Sequence, residues 1–139
     1  MKKQHIIPAV VFFAFIVTTL SFAGGNKLSK TNSMYNTIEA NYLEGMKSDN
    51  IGLRMSCAYF LGEIQSSKAV IPLMHMLNTE ENEGARIIAA WSLIKIGDAR
   101  GVHLVKMQGE QCKDCSVQSM CQYFYNHFNL TTKGKLDLE

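Results

Sequence analysis

Three cysteines stand close together near the C-terminal end of the chain, in the stretch CKDCSVQSMC. Cys112 and Cys115 form a C-x-x-C pair, and Cys121 follows two helical turns later. Such a cluster can hold a disulfide, and the three residues allow three pairings. It can also carry out thiol–disulfide exchange, because a helix that starts near Cys115 would stabilise its thiolate. Attachment of a c-type haem is excluded, since Ser116 stands where a histidine is required.

A metal site is the third chemistry open to this cluster. Three thiolates need a fourth ligand, which only His103 or His127 could supply, and the paired spacings typical of structural zinc are absent. No metal or other cofactor is therefore expected. The remaining cysteine, Cys57, lies among apolar residues at helical spacing and is predicted to be a buried, small hydrophobic side chain.

The chain shows no apparatus for catalysis. Its clustered carboxylates, Glu80, Glu81 and Glu83, lie in the polar stretch NTEENEG, which is typical of a solvated loop. No phosphate-binding loop, dinucleotide fingerprint or nucleophile elbow is present in the sequence. The sequence therefore predicts a protein that is not an enzyme.

The first 23 residues have the features of a secretory signal peptide. Lys2 and Lys3 precede an apolar run over 6–17, and Ser21-Phe22-Ala23 offers a cleavage site. The run is shorter than the roughly 20 residues of a membrane span, although an uncleaved anchor is the alternative. We expect export to the periplasm or the extracellular space, with cleavage after about Ala23 and no membrane span in the mature chain.

Loss of the leader would leave a chain without net charge. The sequence has 14 basic and 12 acidic residues, and only the two lysines of the leader would be removed. A neutral chain without a basic block lacks the electrostatic footprint of a nucleic-acid-binding protein. The expected partner is another protein or a peptide.

The middle of the chain repeats itself at an offset of 32 residues. GLRMSCAYFLGEIQSSKAV begins at Gly52, and GARIIAAWSLIKIGDARGV begins at Gly84. Apolar residues at helical spacing occupy equivalent positions in the two copies, and each copy breaks at a short polar turn where Ser66 or Asp98 could cap the next helix. The inward stripes are Leu53, Cys57, Ala58, Leu61 and Ile64 in the first copy and Ala85, Ala89, Ala90, Leu93 and Ile96 in the second.

The pattern predicts an all-α fold built from helical hairpins. A hairpin cannot bury both of its faces alone, so stacked copies share one core. We predict a flexible segment over 24–32 and a domain over 33–130. It contains a capping helix (33–47, with Met34, Ile38, Tyr42 and Met46 inward), two hairpins (50–79 and 82–110), and a C-terminal helix (114–129). A tail follows over 131–139.

The repeated stretch resembles the HEAT repeats, closest to the short bacterial variety also seen in phycobilin lyases. The second copy carries Arg86, Ala89-Ala90, Leu93, Ile96-Gly97-Asp98 and Val102. The first carries Arg54, Ala58, Leu61, Ile64, Val70 and Pro72, and departs from the pattern at Cys57 and Gln65-Ser66. The resemblance implies a short α-solenoid. Pigment attachment as in the lyases is disfavoured by the export leader.

The resemblance also implies a concave surface lined by the second helix of each hairpin. The side chains expected there are Lys68, His75, His103, Lys106 and Met107. The C-terminal helix is unusually aromatic for a cap, and Tyr123, Tyr125 or Phe128 could project from it as an interface anchor. We therefore predict an exported, non-enzymatic scaffold that binds a protein or peptide. The alternative is a redox or metal-binding protein that uses Cys112, Cys115 and Cys121.

Overall fold

A computed structural model describes the backbone of residues 33–136 and the side chains as far as residue 132. The predicted leader, the segment over 24–32 and the last three residues lie outside the described part. Six α-helices and one short 3₁₀ helix make up this part, and it contains no strand, which confirms the all-α prediction. They are α1 Ser33–Gly45, α2 Ile51–Glu63, the 3₁₀ helix Ser67–Ala69, α3 Val70–Thr79, α4 Glu83–Ile96, α5 Ala99–Gln111 and α6 Cys115–Leu136.

The last helix is longer than the sequence predicts. It was expected to end at residue 129, but α6 continues to Leu136 and takes up much of the predicted tail. Two threonines just after the predicted end keep their hydroxyls bonded within the helix. Thr131 donates to the carbonyl of His127 at 3.1 Å, and Thr132 donates to that of Phe128 at 2.8 Å. A bond from the hydroxyl to the carbonyl four residues earlier is a common arrangement for a threonine inside a helix.

Helix α4 is the centre of the packing. It contacts α2, α3, α5 and α6, while α1 covers α2 and α5 also lies along α6. The buried core runs through these contacts as one cluster, because every helix from α2 to α6 contributes its apolar side to it. Its largest fully buried apolar side chains are Leu61, Leu73, Leu77, Leu93, Val70, Val105 and Val117.

The 32-residue offset extends to the helix caps. Asn50 accepts the backbone N–H of Leu53 at 3.2 Å, and Asn82 accepts that of Ala85 at 2.9 Å. An asparagine at this position satisfies an N–H that the helix itself leaves without a partner. The two capping asparagines are 32 residues apart, and so are the two amides that they bind. The two copies therefore begin their first helix in the same way.

The turn after the first helix is also shared, despite its different sequence. Gly97 directly follows α4 and has φ 74°, and its equivalent Gln65, two residues after the end of α2, has φ 52°. Both residues adopt the left-handed conformation, which glycine reaches without strain and other residues rarely adopt. Gln65 therefore takes the same backbone conformation as its equivalent Gly97, although a 3₁₀ helix follows in the first copy and α5 follows directly in the second.

Three sequence expectations about individual residues are corrected by the structure. Met34, placed in the inward stripe of α1, is 62% exposed, because Tyr35 and Glu39 occupy the buried face instead. Leu53 is 47% exposed, whereas its equivalent Ala85 is fully buried on α4, which packs against more helices than α2 does. Ser66 precedes the 3₁₀ helix without a side-chain capping bond.

The Ser66 hydroxyl is instead part of a buried cluster around Glu39. It donates to the Glu39 carboxylate at 2.6 Å, Lys68 donates to the same group at 2.7 Å, and the Tyr35 hydroxyl donates at 3.3 Å. Burial by itself would raise the pKa of Glu39, but the bonds from Lys68, Ser66 and Tyr35 outweigh it and hold the pKa below the ordinary value of 4.5. The cluster ties α1 to the turn between α2 and α3.

This cluster should make the fold sensitive to acid. A carboxyl group with a lowered pKa in the folded state stabilises that state above its unfolded pKa, and the stabilisation is lost as the pH falls through the folded value. We expect the wild-type melting temperature to fall as the pH drops below 4.5. The Glu39→Gln variant should melt lower at pH 7 and change less over the same acid range. Equal acid sensitivity of both proteins, in melts followed by circular dichroism, would contradict this role.

Candidate functional site

A groove lies between α5 and α6 near the turn that precedes α5. It has a volume of about 410 Å³ and is open to solvent along one side. Two sets of residues that the sequence analysis proposed separately line it together. His103 and Lys106 come from the predicted concave face, and Tyr125 and Phe128 come from the aromatic C-terminal helix; the other lining residues are Gly97, Ala99 and Val102.

The groove combines an apolar wall with a basic edge. Val102, Tyr125 and Phe128 are half-buried, so their apolar surface is in part available to a ligand. His103 is exposed. Lys106 approaches the carboxylate of Glu110 only to 3.7 Å, and 42% and 52% of these two side chains are exposed. Such exposed pairs contribute little to stability, so another anion could replace Glu110 beside Lys106 at little cost.

Helix α5 is held at its first turn and again near its C-terminal end. Asp98 caps α5 by accepting the backbone N–H of Arg100 at 2.9 Å, as the sequence predicted. Farther along α5, Gly109 lies so close to α6 that a Cβ atom there would stand 2.9 Å from the backbone nitrogen of Gln122. Rigid walls lower the ordering cost that binding must overcome.

His75 lies in a different cavity, between α1 and α3. This cavity has a volume of about 330 Å³ and is bounded by Leu43, Met46, Lys47, Arg54, Pro72, His75, Met76, Thr79 and Glu80. Its charges already have partners. The guanidinium of Arg54 forms a two-point ion pair with Glu80 at 2.7 and 2.9 Å, and the hydroxyl of Thr79 lies 3.2 Å from His75 Nδ1. These groups are therefore less available to a ligand than those of the groove.

The other predicted surface residues do not join the groove. The ammonium of Lys68 is bound to buried Glu39, although the lysine side chain is 65% exposed. Met107 is half-buried and lines neither cavity. Of the five residues proposed for the concave face, the structure brings only His103 and Lys106 together in one place.

The aromatic residues of α6 divide between core and surface. Phe124 is buried and packs against Trp91 with ring centres 5.3 Å apart, while Tyr123 is 61% exposed. Tyr125 and Phe128, four and seven residues after Cys121, lie between these extremes and face the groove. Helical spacing gave this side of α6 correctly, but Val102 and Gly97 were not singled out, because only the fold shows that they lie opposite the aromatic rings.

All four cysteines carry free thiols in this structure. Cys57 is buried as predicted, and burial raises the pKa of its thiol. Cys121 is also buried, Cys112 is half-buried, and Cys115 is exposed at the first residue of α6. The disulfide pairing among Cys112, Cys115 and Cys121 stays a prediction. No group of three histidine, cysteine or acidic residues suited to a metal ion occurs among the described residues.

Within the part of the chain that the structure describes, no helix has the length and apolar character needed to cross a membrane. Comparison with protein-family models and with curated proteins finds no match to this sequence.

Proposed function

We propose that this protein is an exported, non-enzymatic scaffold that binds a segment of another protein in the groove between α5 and α6. The observation that carries the proposal is the meeting of His103 and Lys106 with Tyr125 and Phe128 around one open cavity. A preformed apolar surface with a few charged groups at its edge is the usual form of a specific binding site. Aromatic side chains are the residues that most often supply binding energy at protein interfaces.

We further propose that the two hairpins are HEAT-like repeats of a short α-solenoid. The support is the equivalence of caps and turns at the 32-residue offset, in Asn50 and Asn82 and in Gln65 and Gly97. The packing order agrees with this proposal, since the first helix α2 lies on the next first helix α4, and α4 lies on α6. In such an array each unit covers its neighbour, and α1 and α6 close the two ends.

The chemistry of the groove indicates the kind of segment that fits it. An apolar or aromatic side chain would pack against Val102, Tyr125 and Phe128, and a carboxylate would approach Lys106 and His103. We therefore expect a peptide in which an acidic residue stands close to an apolar or aromatic one. Lysine and histidine at the edge favour such a peptide over a basic one, because like charges oppose binding.

Selection from a phage-displayed library of random peptides tests this function. We expect the purified protein to enrich peptides with an acidic residue next to an apolar or aromatic one. The double variant His103→Ala, Lys106→Ala should bind the selected peptides at least about tenfold more weakly, a loss of about 1.4 kcal/mol. Its melting temperature should stay close to that of the wild type, because substitutions of exposed side chains rarely change stability by more than about 0.5 kcal/mol.

The other cavity offers a matched control. Lys47 and His75 are a lysine and a histidine that line it, so the variant Lys47→Ala, His75→Ala removes the same two side-chain types elsewhere. This control should bind the selected peptides as the wild type does. Equal losses in the two double variants, or no enrichment of peptides by the wild type, would contradict binding at the α5–α6 groove.

A further inference from the structure

The two repeats differ in one contact that the 32-residue offset makes directly comparable. In the first repeat, the guanidinium of Arg54 binds the carboxylate of Glu80, with Nε–Oε1 at 2.7 Å and Nη2–Oε2 at 2.9 Å. Adding 32 to both numbers gives Arg86 and Cys112. In the second repeat, Arg86 Nη2 indeed donates to Cys112 Sγ at 3.0 Å. The thiol of Cys112 therefore occupies the position of an ionised carboxylate.

The Cys112 sulphur is one of several acceptors around the guanidinium of Arg86. Its Nε donates to the carbonyl of Leu77 at 3.1 Å, and Nη2 also reaches Gln108 Oε1 at 3.4 Å. Asp114 Oδ2 forms an ion pair with Arg86 Nη1 at 3.7 Å, while Asp114 Oδ1 accepts backbone N–H groups at the start of α6. A half-buried sulphur that accepts a bond from a guanidinium lies in the electropositive, partly accessible surroundings that are typical of reactive cysteines.

A second thiol lies beside Cys112. Gly109 is in close contact with the backbone of Cys121 and Gln122, where a Cβ atom would meet Cys121 C at 3.3 Å and Gln122 N at 2.9 Å. Cys112 directly follows the last residue of α5, three residues after Gly109. Burial, and then the nearby Cys112, raise the pKa of the Cys121 thiol to about 12, while Arg86 lowers it. Arg86, Cys112 and Cys121 thus form one cluster, and Cys115 lies exposed outside it.

We propose that Cys112 is a thiol-modification site that reacts with low-molecular-weight disulfides, and that Cys121 then replaces the bound thiol. In the first step the Cys112 thiol gives up its proton to solvent and its sulphur attacks one sulphur of the small disulfide. The new S–S bond joins Cys112 to half of the reagent, and the other half leaves as a thiolate. In the second step the Cys121 sulphur attacks Cys112 Sγ, its proton passes to the departing small thiolate, and a Cys112–Cys121 disulfide remains. The two protein thiols are oxidised and the small disulfide is reduced to two thiols.

The two steps should differ in rate. Cys112 is half-buried and reachable by a small reagent, whereas the Cys121 thiol is fully buried and protonated. Addition to Cys112 should therefore come first, and closure to Cys121 should follow more slowly. The closed form would link the C-terminal end of α5 to α6, and these are the two helices that line the proposed groove.

Oxidised glutathione is the probe for the test, with intact-mass measurement and peptide mapping as the readout. In a Cys115→Ser background we expect one glutathione to appear on Cys112 and then to be lost as the Cys112–Cys121 disulfide forms. Adding Cys121→Ser should stop the reaction at the mixed disulfide, and adding Cys112→Ser should prevent modification. This pair of variants tests the site without any change at Arg86. A Cys112–Cys115 disulfide as the only linked pair of the wild type, or equal modification after Cys112→Ser, would overturn the proposal.

The repeat supplies the control for Arg86. Arg86→Gln should slow the addition of glutathione to Cys112 about tenfold, because the thiolate loses its charged donor. Arg54→Gln removes the equivalent arginine of the first repeat and should leave the rate unchanged. Arg86→Lys keeps the positive charge and should restore most of the rate. This variant shows whether the slower addition in Arg86→Gln results from the lost charge or from loss of the fold. Equal rates in Arg86→Gln and Arg54→Gln would overturn the role of the guanidinium.

Discussion

Truncation of Leu93 to alanine is expected to lower the free energy of unfolding by about 3 to 5 kcal/mol. Leu93 is fully buried on α4, the helix that contacts α2, α3, α5 and α6. A cavity at this place removes packing from several helices at once, and the backbone around it has little room to close. Chemical unfolding of wild type and variant measures the loss. Ile71→Ala, at a side chain that is 58% exposed, should change the stability by less than about 0.5 kcal/mol.

A second substitution shows whether Leu93 is packed as described. A Cβ atom at Gly101 would stand 2.8 Å from Leu93 Cδ2 and 3.5 Å from Cγ, and both atoms are missing from the Leu93→Ala variant. Gly101→Ala should therefore destabilise the wild type but be neutral or stabilising when residue 93 is alanine. The coupling between the two sites should reach about 1 kcal/mol or more. Additive effects would contradict the close packing of α5 on α4.

Substitution of Gly62 by alanine is expected to cost about 2 to 3 kcal/mol, which is the opposite of its usual effect in a helix. An alanine in place of a helical glycine normally gains roughly 0.5 to 1 kcal/mol. At Gly62, however, the added Cβ atom would stand 2.8 Å from the Cα, Cβ and Oγ atoms of Ser92. One of these atoms belongs to the backbone, so α2 and α4 would have to move apart, and overpacking of this kind typically costs 1 to 3 kcal/mol.

Gly52 is the control in the same helix. It is exposed, and a Cβ atom there would meet only the flexible side chain of Asn50, at 3.2 Å. Gly52→Ala should therefore leave the free energy of unfolding unchanged or raise it by up to about 1 kcal/mol, the usual gain for a helical glycine. Ser92→Ala removes one of the three contacts, the hydroxyl, which is buried without a hydrogen-bond partner. It should relieve part of the cost of Gly62→Ala. Equal stabilities of the Gly62→Ala and Gly52→Ala variants would contradict the close approach of α2 and α4.

The helices were predictable because their signals are local. Apolar residues at helical spacing fix which side of α4 is buried, and a short polar sequence such as that around Asp98 fixes where a helix begins. The wrong predictions concern residues whose burial depends on how the neighbouring helices pack. Leu53 and Ala85 occupy equivalent positions, but α4 packs against four helices, whereas α2 packs against only α1 and α4 among the α-helices described. Met34 is apolar yet exposed, because Glu39 can be buried once Lys68 and Ser66 supply hydrogen bonds from another part of the chain.

The candidate site was predictable only in its parts. Helical spacing placed His103 and Lys106 on one face, and it identified the aromatic side of α6. Their meeting in one groove depends on how α6 packs against α5, which the close contact at Gly109 determines. The partnership of Arg86 with Cys112 was missed although the 32-residue offset contained it. The offset makes Glu80 and Cys112 equivalent positions. However, only the structure shows that Arg54 pairs with Glu80, and without that pair nothing in the sequence points from Arg86 to Cys112.

Amide chemical-shift mapping tests the proposed binding site most directly. The purified ¹⁵N-labelled protein is titrated with a peptide selected from the random library, and the shifted amides are located on the structure. We predict that the largest shifts fall on residues 97–106 and 125–128, on both sides of the groove. Shifts concentrated around Met46, His75 and Thr79, or spread evenly over the helices, would contradict the assignment of binding to the α5–α6 groove.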